Sequence, residues 1–378
     1  MGNQESLRRT PLYQNHLDCG GKMVPFAGWE MPVQYPAGVV EEHLCVRSRV
    51  GIFDVSHMGE IEVRGPGAEA YLDYITCNAV STMKDGQAQY SALPNSDGGI
   101  VDDIIIYRYN PEHYLLCVNA SNAEIDFQWL QDQQQGSDTF HSVSLKNLSD
   151  EYAQIAVQGP KAFSLLQRIF GQDFQATLKP FWFAPAIFDG EEVLVARTGY
   201  TGEDGVEVFV SPKKASALWT ALLSEGEVDG ILPCGLGARD SLRLEVCYPL
   251  HGHELSPKIS AIESGLGWIV KPNKKGDFIG RSILEKQKAE GSPRKLVGFF
   301  VEDKGIVREE TKVFSPEGIE VGFVTSGTKT PSVGKESGKA LGLALVKRDV
   351  AEIGQELFGE VRGRKLKLQV VETPFYKR

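Results

Sequence analysis

No apolar run in the chain approaches the roughly 18 residues that a spanning helix requires, so no such helix is expected. Cysteine is sparse and dispersed: Cys19, Cys45, Cys77, Cys117, Cys234 and Cys247 form no CxxC pair. That spacing argues against a disulfide framework or a structural zinc site and fits reduced thiols in a cytosol-like compartment. Positive charge is in deficit, with 40 Lys and Arg against 50 Asp and Glu, a formal net charge of -10. A general nucleic-acid or membrane-surface binder is therefore not expected, although a local basic pocket for an anionic ligand stays open. The start of the chain has neither an apolar secretion segment nor an Arg/Ser-rich transit segment. Met1-Gly2-Asn3-Gln4-Glu5-Ser6 fits the myristoylation pattern, but no polybasic stretch or second anchor follows, and one acyl chain binds a membrane only marginally. What is present is a globular composition, 42% hydrophobic and 24% charged, in 378 residues, enough for two or three domains.

An internal echo organises the first half. Ile61-Glu62-Val63-Arg64-Gly65-Pro66-Gly67-Ala68 and the residues to Ile75 return 94 positions later as Ile155-Ala156-Val157-Gln158-Gly159-Pro160-Lys161-Ala162 and the residues to Ile169. Each copy predicts a strand, a tight glycine turn and a helix begun by proline, with apolar residues at helical spacing. Two copies are too few for a solenoid and point to two related α+β units. Ile100–Tyr107 and Tyr114–Asn119 predict a hairpin around Asn110-Pro111-Glu112, and Glu192–Arg197 and Val206–Val210 a second strand pair. A short helix is expected over Trp219–Leu223 and another over Ser282–Ala289. Beyond about residue 275 short strands recur between Gly, Pro and Ser turns: Lys295–Phe300, Thr311–Phe314, Glu320–Val324, Ala340–Val346 and Leu366–Val371. That texture predicts an all-β barrel or sandwich.

Several chemical motifs fail on inspection. His251-Gly252-His253-Glu254 lacks the third ligand and spacing of a metal site and reads as a polar loop. Ser56-His57 has no nucleophile elbow around it, and adjacent strand residues point to opposite faces. Gly235-Leu236-Gly237-Ala238-Arg239-Asp240 has Asp where a dinucleotide fingerprint needs its third glycine. The pair Asp102-Asp103 is stronger. It interrupts an apolar strand, alternation sends one carboxylate to each face, and a carboxylate in such a run needs a partner or a function. Glu207 sits similarly between Val206 and Val208, after the Gly-rich stretch Thr198–Gly205. Arg239 and Arg243 fall four apart on one helix face, where pairing with Asp240 or Glu245 is the structural alternative. Two carboxylates, an arginine and several tyrosines suit a flat polar heterocycle.

Arg9-Thr10-Pro11-Leu12-Tyr13, Met23–Pro32 (MVPFAGWEMP) and Gly51–Met58 (GIFDVSHM) resemble the aminomethyltransferase, or T-protein, family of the glycine cleavage system. The likeness continues through Gly98–Asp103, Arg197–Glu207, Gly235–Glu245, Gly265–Lys271 and Val324-Thr325-Ser326-Gly327 with Pro331, in order, from about residue 9 to 375. The resemblance implies an α+β fold of three domains around a central folate pocket: 1–55 with 145–230, 56–144 with 231–275, and a β-rich domain over 276–378. It implies transfer of the one-carbon unit of an aminomethyl group, carried on the dihydrolipoyl arm of the H-protein, to tetrahydrofolate, giving 5,10-methylenetetrahydrofolate and ammonia.

Matched position by position, the resemblance makes Asp103 the catalytic aspartate. Met58, Tyr90, Tyr107, Asn119, Tyr200, Glu207, Arg239 and Tyr248 become the folate-binding set; Tyr376 stays outside it. Tetrahydrofolate is the expected co-substrate, with no metal, NAD or flavin. The expected partner is the lipoylated H-protein, with the other glycine cleavage proteins more loosely associated, in bacterial cytoplasm or, for a processed eukaryotic chain, the mitochondrial matrix. A docking patch is expected among Lys271, Lys274, Lys275, Arg281, Lys377 and Arg378. The alternatives within this fold are a folate-dependent demethylase and a non-enzymatic folate-binding assembly factor.

Overall fold

The computed structural model describes residues 6–333 and 339–378; Gly2 and its acylation pattern lie outside them. The chain forms two compact units. One holds the sequence up to Ala68 with Met83–Gln89 and Ile105–Asp240, and the other holds Glu69–Thr82, Tyr90–Ile104 and Ser241–Arg378. Among the described residues no helix is long and apolar enough to cross a membrane.

In the first unit a six-stranded sheet runs in the order Phe183–Phe188, Glu191–Ala196, Gly205–Val210, Ala153–Gln158, Gly51–Asp54 and Leu232–Pro233. Helices Ala162–Phe170 and Pro212–Gly226 cover one face, burying Leu165, Leu166, Leu218, Trp219 and Leu222 against Ile155, Val157, Val206 and Val208. Its other face, with Leu194, Ala196 and Phe209, meets Tyr107, Leu115 and Cys117. These last residues belong to a second sheet, ordered Gln87–Pro94, Ile100–Asn110, His113–Val118, Gly59–Arg64 and Ser144–Asn147. The predicted hairpin is the pair Ile100–Asn110 and His113–Val118, and the second predicted pair is Glu191–Ala196 with Gly205–Val210.

Both halves of the echo form a strand and then a helix: Gly59–Arg64 before Ala68–Ile75, and Ala153–Gln158 before Ala162–Phe170. The prolines do not occupy the first helical position. Each is the second residue of a β-turn closed by the Ala68 amide on Gly65 O and the Ala162 amide on Gly159 O, both at 3.0 Å. The turn fixes the glycine that precedes proline. Gly159 has φ +130°, and a Cβ there would lie 2.5 Å from Arg49 O and 2.8 Å from Val46 O. Gly159→Ala should therefore destabilise the protein by clearly more in denaturant unfolding than Gly171→Ala, which carries the strain of a positive φ (+67°) but whose Cβ would meet open space. Equal stabilities would remove this account of the echo.

The second unit contains the predicted β module as a closed barrel. Its strands run Arg294–Val301, Ala340–Lys347, Glu320–Lys329, Lys312–Phe314, Glu356–Val361 and Arg364–Val371, and the last pairs back on the first. Closure removes the exposed edges. Val297, Phe299, Val313, Val324, Val346, Leu357 and Leu368 fill the interior. The Arg281–Glu290 helix precedes the barrel.

One expected surface group proves to be internal. Lys274 donates its ammonium hydrogens to Asp73 O, Thr76 O and Asn78 O, at and just beyond the end of the Ala68–Ile75 helix, and lies 4.6 Å from the Phe278 ring centroid. Its side chain is only 1% exposed. Burial pulls its pKa down to about 8, with Asp73 opposing. Lys274 closes a helix end, where orphan carbonyls need donors and positive charge is favoured. It therefore leaves the expected docking patch, while Lys271 and Lys275 are exposed.

Candidate active site

The first unit gathers six of the predicted residues: Met58, Tyr107, Asn119, Tyr200, Glu207 and Arg239. Glu207 stands in the Gly205–Val210 strand, in register with Ala196 and Ala156, and is 7% exposed. The Thr198 hydroxyl donates to its Oε2 at 2.5 Å. Burial pushes this carboxyl upward, and the Thr198 bond and the Arg239 charge pull it back. Arg239 comes from the Leu236–Glu245 helix, and its guanidinium lies over the Tyr200 ring, 4.6 Å from the centroid. Cation and aromatic face thus hold each other in place.

The loop carrying Tyr200 is pinned from below. Arg47 donates to Thr201 O at 2.7 Å and to Glu203 Oε1 at 2.9 Å, a pair almost wholly buried. The Thr201 hydroxyl donates to Gln158 Oε1 at 2.8 Å, and the Gln158 amide nitrogen donates to Thr198 O at 3.2 Å. Gly199 is required there because a Cβ would lie 2.2 Å from Gln158 Oε1. The Gly-rich stretch serves close packing under Tyr200.

Tyr107 is fully buried, edge-on to Phe183 and Phe209 at centroid distances of 5.6 and 5.3 Å, and the Glu207 charge raises its pKa further above the level set by burial. Met58 is half-buried against the same apolar core, and Asn119 is half-buried just after the His113–Val118 strand. Met58 also lines a cavity of about 390 Å³ with Trp29 and Ala120, which includes none of the other predicted residues.

Asp103, Tyr90 and Tyr248 belong to the second unit. Alternation separates the two aspartates as expected: Asp102 is fully buried and Asp103 half-buried. The Tyr90 hydroxyl donates to Asp103 Oδ2 at 2.8 Å, and the Tyr90 ring stacks on Trp268 at 6.0 Å. Trp268 is 57% exposed and went unremarked in the sequence, although it lies inside the Gly265–Lys271 stretch. Tyr248 follows the Leu236–Glu245 helix, its amide bonded to Arg243 O at 2.9 Å. Arg243 is buried and reaches beyond its own helix. It donates to Glu254 Oε2 at 2.9 Å and Ser326 Oγ at 2.8 Å.

The discounted motifs have structural places. His253 Nδ1 lies 3.0 Å from Thr325 O and 2.9 Å from Glu309 Oε2, and His251 Nε2 3.3 Å from Ile100 O. Among the described residues no three His, Cys, Asp or Glu side chains are grouped to hold a metal. His57 is buried against Phe26, and burial lowers its pKa to about 4. The Gly235 amide donates to Glu42 Oε2 at 2.9 Å, and a Cβ there would strike the Val33 backbone, so this glycine serves packing.

Missing from the sequence reading is Glu60. It lies on the Gly59–Arg64 strand, 1% exposed, with Oε2 unbonded. Burial and the Glu207 charge both drive its pKa well above the usual carboxylate value. The signal that could have found it is the alternation of Glu60 and Glu62 with Ile61 and Val63, and Glu60 looks into the space between the two sheets.

Two family models match nearly the whole chain: the GCVT N-terminal domain over residues 12–274 and the glycine cleavage T-protein C-terminal barrel domain over 294–377. An α+β body joined to that closed barrel defines the T-protein class of fold. Aminomethyltransferases from Geobacillus kaustophilus and Desulfitobacterium hafniense are 50% and 46% identical over 98% of this chain and 99% of each relative. The crystal structure of the glycine cleavage system aminomethyltransferase T from Bartonella henselae superposes with a TM-score of 0.89 at 35% identity, covering 98% of both chains. The chain belongs to the aminomethyltransferase family, the T-proteins of the glycine cleavage system, and is an enzyme of that family.

Proposed function

We propose that this enzyme moves the one-carbon unit of an aminomethyl group, held on the dihydrolipoyl arm of an H-protein, to tetrahydrofolate, releasing ammonia and 5,10-methylenetetrahydrofolate. The observation that carries this reading is the grouping of Glu207, Arg239 and Tyr200. A buried carboxylate accepts from the amino and ring N–H edge of a pterin, a guanidinium donates to its oxygen or to carboxylates, and a tyrosine ring offers a flat face. These residues fit a reduced folate. Tetrahydrofolate supplies the amine nitrogens that receive the carbon.

Met58, Asn119 and Tyr248 line the same ligand in this reading, and Tyr107 supports Glu207 from the core. Tyr90 holds the Asp103 carboxylate in one orientation through its hydroxyl. Asp103 orients the accepting amine and favours the positive charge that develops near the reacting carbon. Bacterial relatives support a cytoplasmic setting. The partner would be an acidic lipoyl-bearing protein approaching the exposed Lys271 and Lys275. We also propose the division 1–55 with 145–230, 56–144 with 231–275, and 276–378 as the functional domains; the two sheets and the barrel support it apart from Ser144–Asn147 and Leu232–Pro233, which pair across the first two.

Ammonia release from aminomethylated H-protein, measured with and without tetrahydrofolate, tests the reading. Release should depend strongly on tetrahydrofolate, and tetrahydrofolate at a hundredfold excess over its Kd should stabilise the fold by about 2.7 kcal/mol. Folate-independent release, or thermal stabilisation by zinc and not by folate, would overturn it.

A further inference from the structure

Glu60 occupies a place where an ionised carboxylate has nothing to answer it. The register fixes its direction. Glu60 pairs with Cys117, and Cys117 with Ile105, so the three side chains share one face of their sheet. Cys117 and Ile105 pack in the same apolar cluster as Tyr107, Leu194, Ala196 and Phe209. In the opposite sheet Leu194 pairs with Phe209 and Ala196 with Glu207, which places Glu207 on the face that closes this cluster. Glu60 and Glu207 therefore enter one dry layer from opposite sides. They feel each other there, since the Glu207 charge opposes ionisation of Glu60.

The two acids are not equivalent. Glu207 has the Thr198 hydroxyl at 2.5 Å and the Arg239 charge to stabilise an anion. Glu60 has an unbonded Oε2. Among the described residues the nearby basic groups are turned to other acids: Arg64 lies 2.8 Å from Glu62 Oε1 and the His113 ring 3.1 Å from the same oxygen. Lys146 on the edge strand is turned to Glu151 at 2.9 Å, Cys117 and Tyr107 are buried, and Tyr152 borders the same cluster. Two carboxylates in one low-dielectric layer with a single donor and a single cation cannot both ionise without a large cost.

We propose that Glu60 is a positioning residue: a carboxylic acid that keeps its proton at neutral pH and so leaves Glu207 as the sole anion of the layer. Its protonation is independent of the folate reading; only its consequence rests on that reading. With Glu60 neutral, the Glu207 charge stays available to the N–H groups of a ligand and is not spent on a shared proton or on mutual repulsion. A glutamine in place of Glu60 preserves that condition at every pH. A second anion, formed as pH rises, destroys it.

The sign of the linkage follows. A carboxyl whose folded pKa is raised binds its proton more tightly in the native state than in the unfolded chain. Stability is then lost as pH rises from the unfolded value through the folded one. In denaturant unfolding of the full chain between about pH 5 and pH 8, Glu60→Gln should gain on the wild type by up to about tenfold in the unfolding constant per pH unit. The infrared band of a protonated carboxyl should be present in the wild type at neutral pH, persist in Glu207→Gln and vanish in Glu60→Gln. Parallel pH curves, or no such band in the wild type, would overturn the proposal; the band alone decides if Glu60→Gln fails to fold.

Equilibrium binding of tetrahydrofolate separates the two readings. Its affinity should fall at alkaline pH in the wild type, lose that fall in Glu60→Gln, and drop at every pH in Glu207→Gln. Unchanged folate binding in Glu207→Gln, with the Glu60 proton still observed, would refute the folate assignment and leave the proton assignment standing.

Discussion

Asp103→Asn is expected to lower one-carbon transfer about 100-fold or more while leaving the melting temperature nearly unchanged. Asparagine keeps the shape and can still accept the hydrogen bond that the Tyr90 hydroxyl makes to Asp103 Oδ2. What it removes is the negative charge, and that charge is what the proposed role requires. Asp102→Asn should give the opposite signature. Asp102 is wholly buried, so its replacement disturbs packing and hydrogen bonding and should cost stability more than rate. The measurement is kcat with H-protein-bound substrate beside a thermal melt for both variants. An exchange of the two signatures would move the catalytic role to the other face of the strand. A loss confined to KM would make Asp103 a binding group only.

Lys274→Met should destabilise the second unit by about 3 kcal/mol, because three backbone carbonyls lose their donor together. Lys275→Glu, one residue on and exposed, should stay within about 0.5 kcal/mol of the wild type. Burial holds the Lys274 pKa near 8, below its ordinary 10.5. The native state therefore binds fewer protons than the unfolded chain between those values, and stability should rise with pH across that window in the wild type and not in Lys274→Met. Equal unfolding midpoints for the two lysine variants would contradict the helix-closing role.

Local signals carried most of the architecture. The hairpin around Asn110-Pro111-Glu112, the strand-turn-helix echo and the strands of the barrel are written in alternation and turn chemistry over short stretches. The Glu356–Val361 strand escaped notice because its glycine and two glutamates weaken the strand pattern, and only pairing with Lys312–Phe314 and Arg364–Val371 reveals it. Alternation also separated Asp102 from Asp103 correctly, because only one neighbour on one strand had to be considered. It says nothing of Glu60, because whether the face opposite Ile61 and Val63 meets water or another sheet is decided by strands distant in sequence. Lys274 was read as a loop cation for a related reason. Nothing near it in sequence announces carbonyls about two hundred positions away.

That separation also bears on how the chain is made. The ammonium that finishes the Ala68–Ile75 helix is encoded 201 positions after Asp73. During synthesis from the N-terminus the end of this helix stays hydrated until the distant lysine has emerged. At about 5–20 residues per second the interval is roughly 10–40 seconds. The same delay governs the Tyr90–Ile104 segment, which carries Asp103 and belongs to one compact unit with Ser241–Arg378. A ribosome paused near Asp240 would hold the first unit while Asp103, the proposed catalytic aspartate, still awaited the rest of its own unit, so on that proposal enzymatic competence arrives only with the last third of translation.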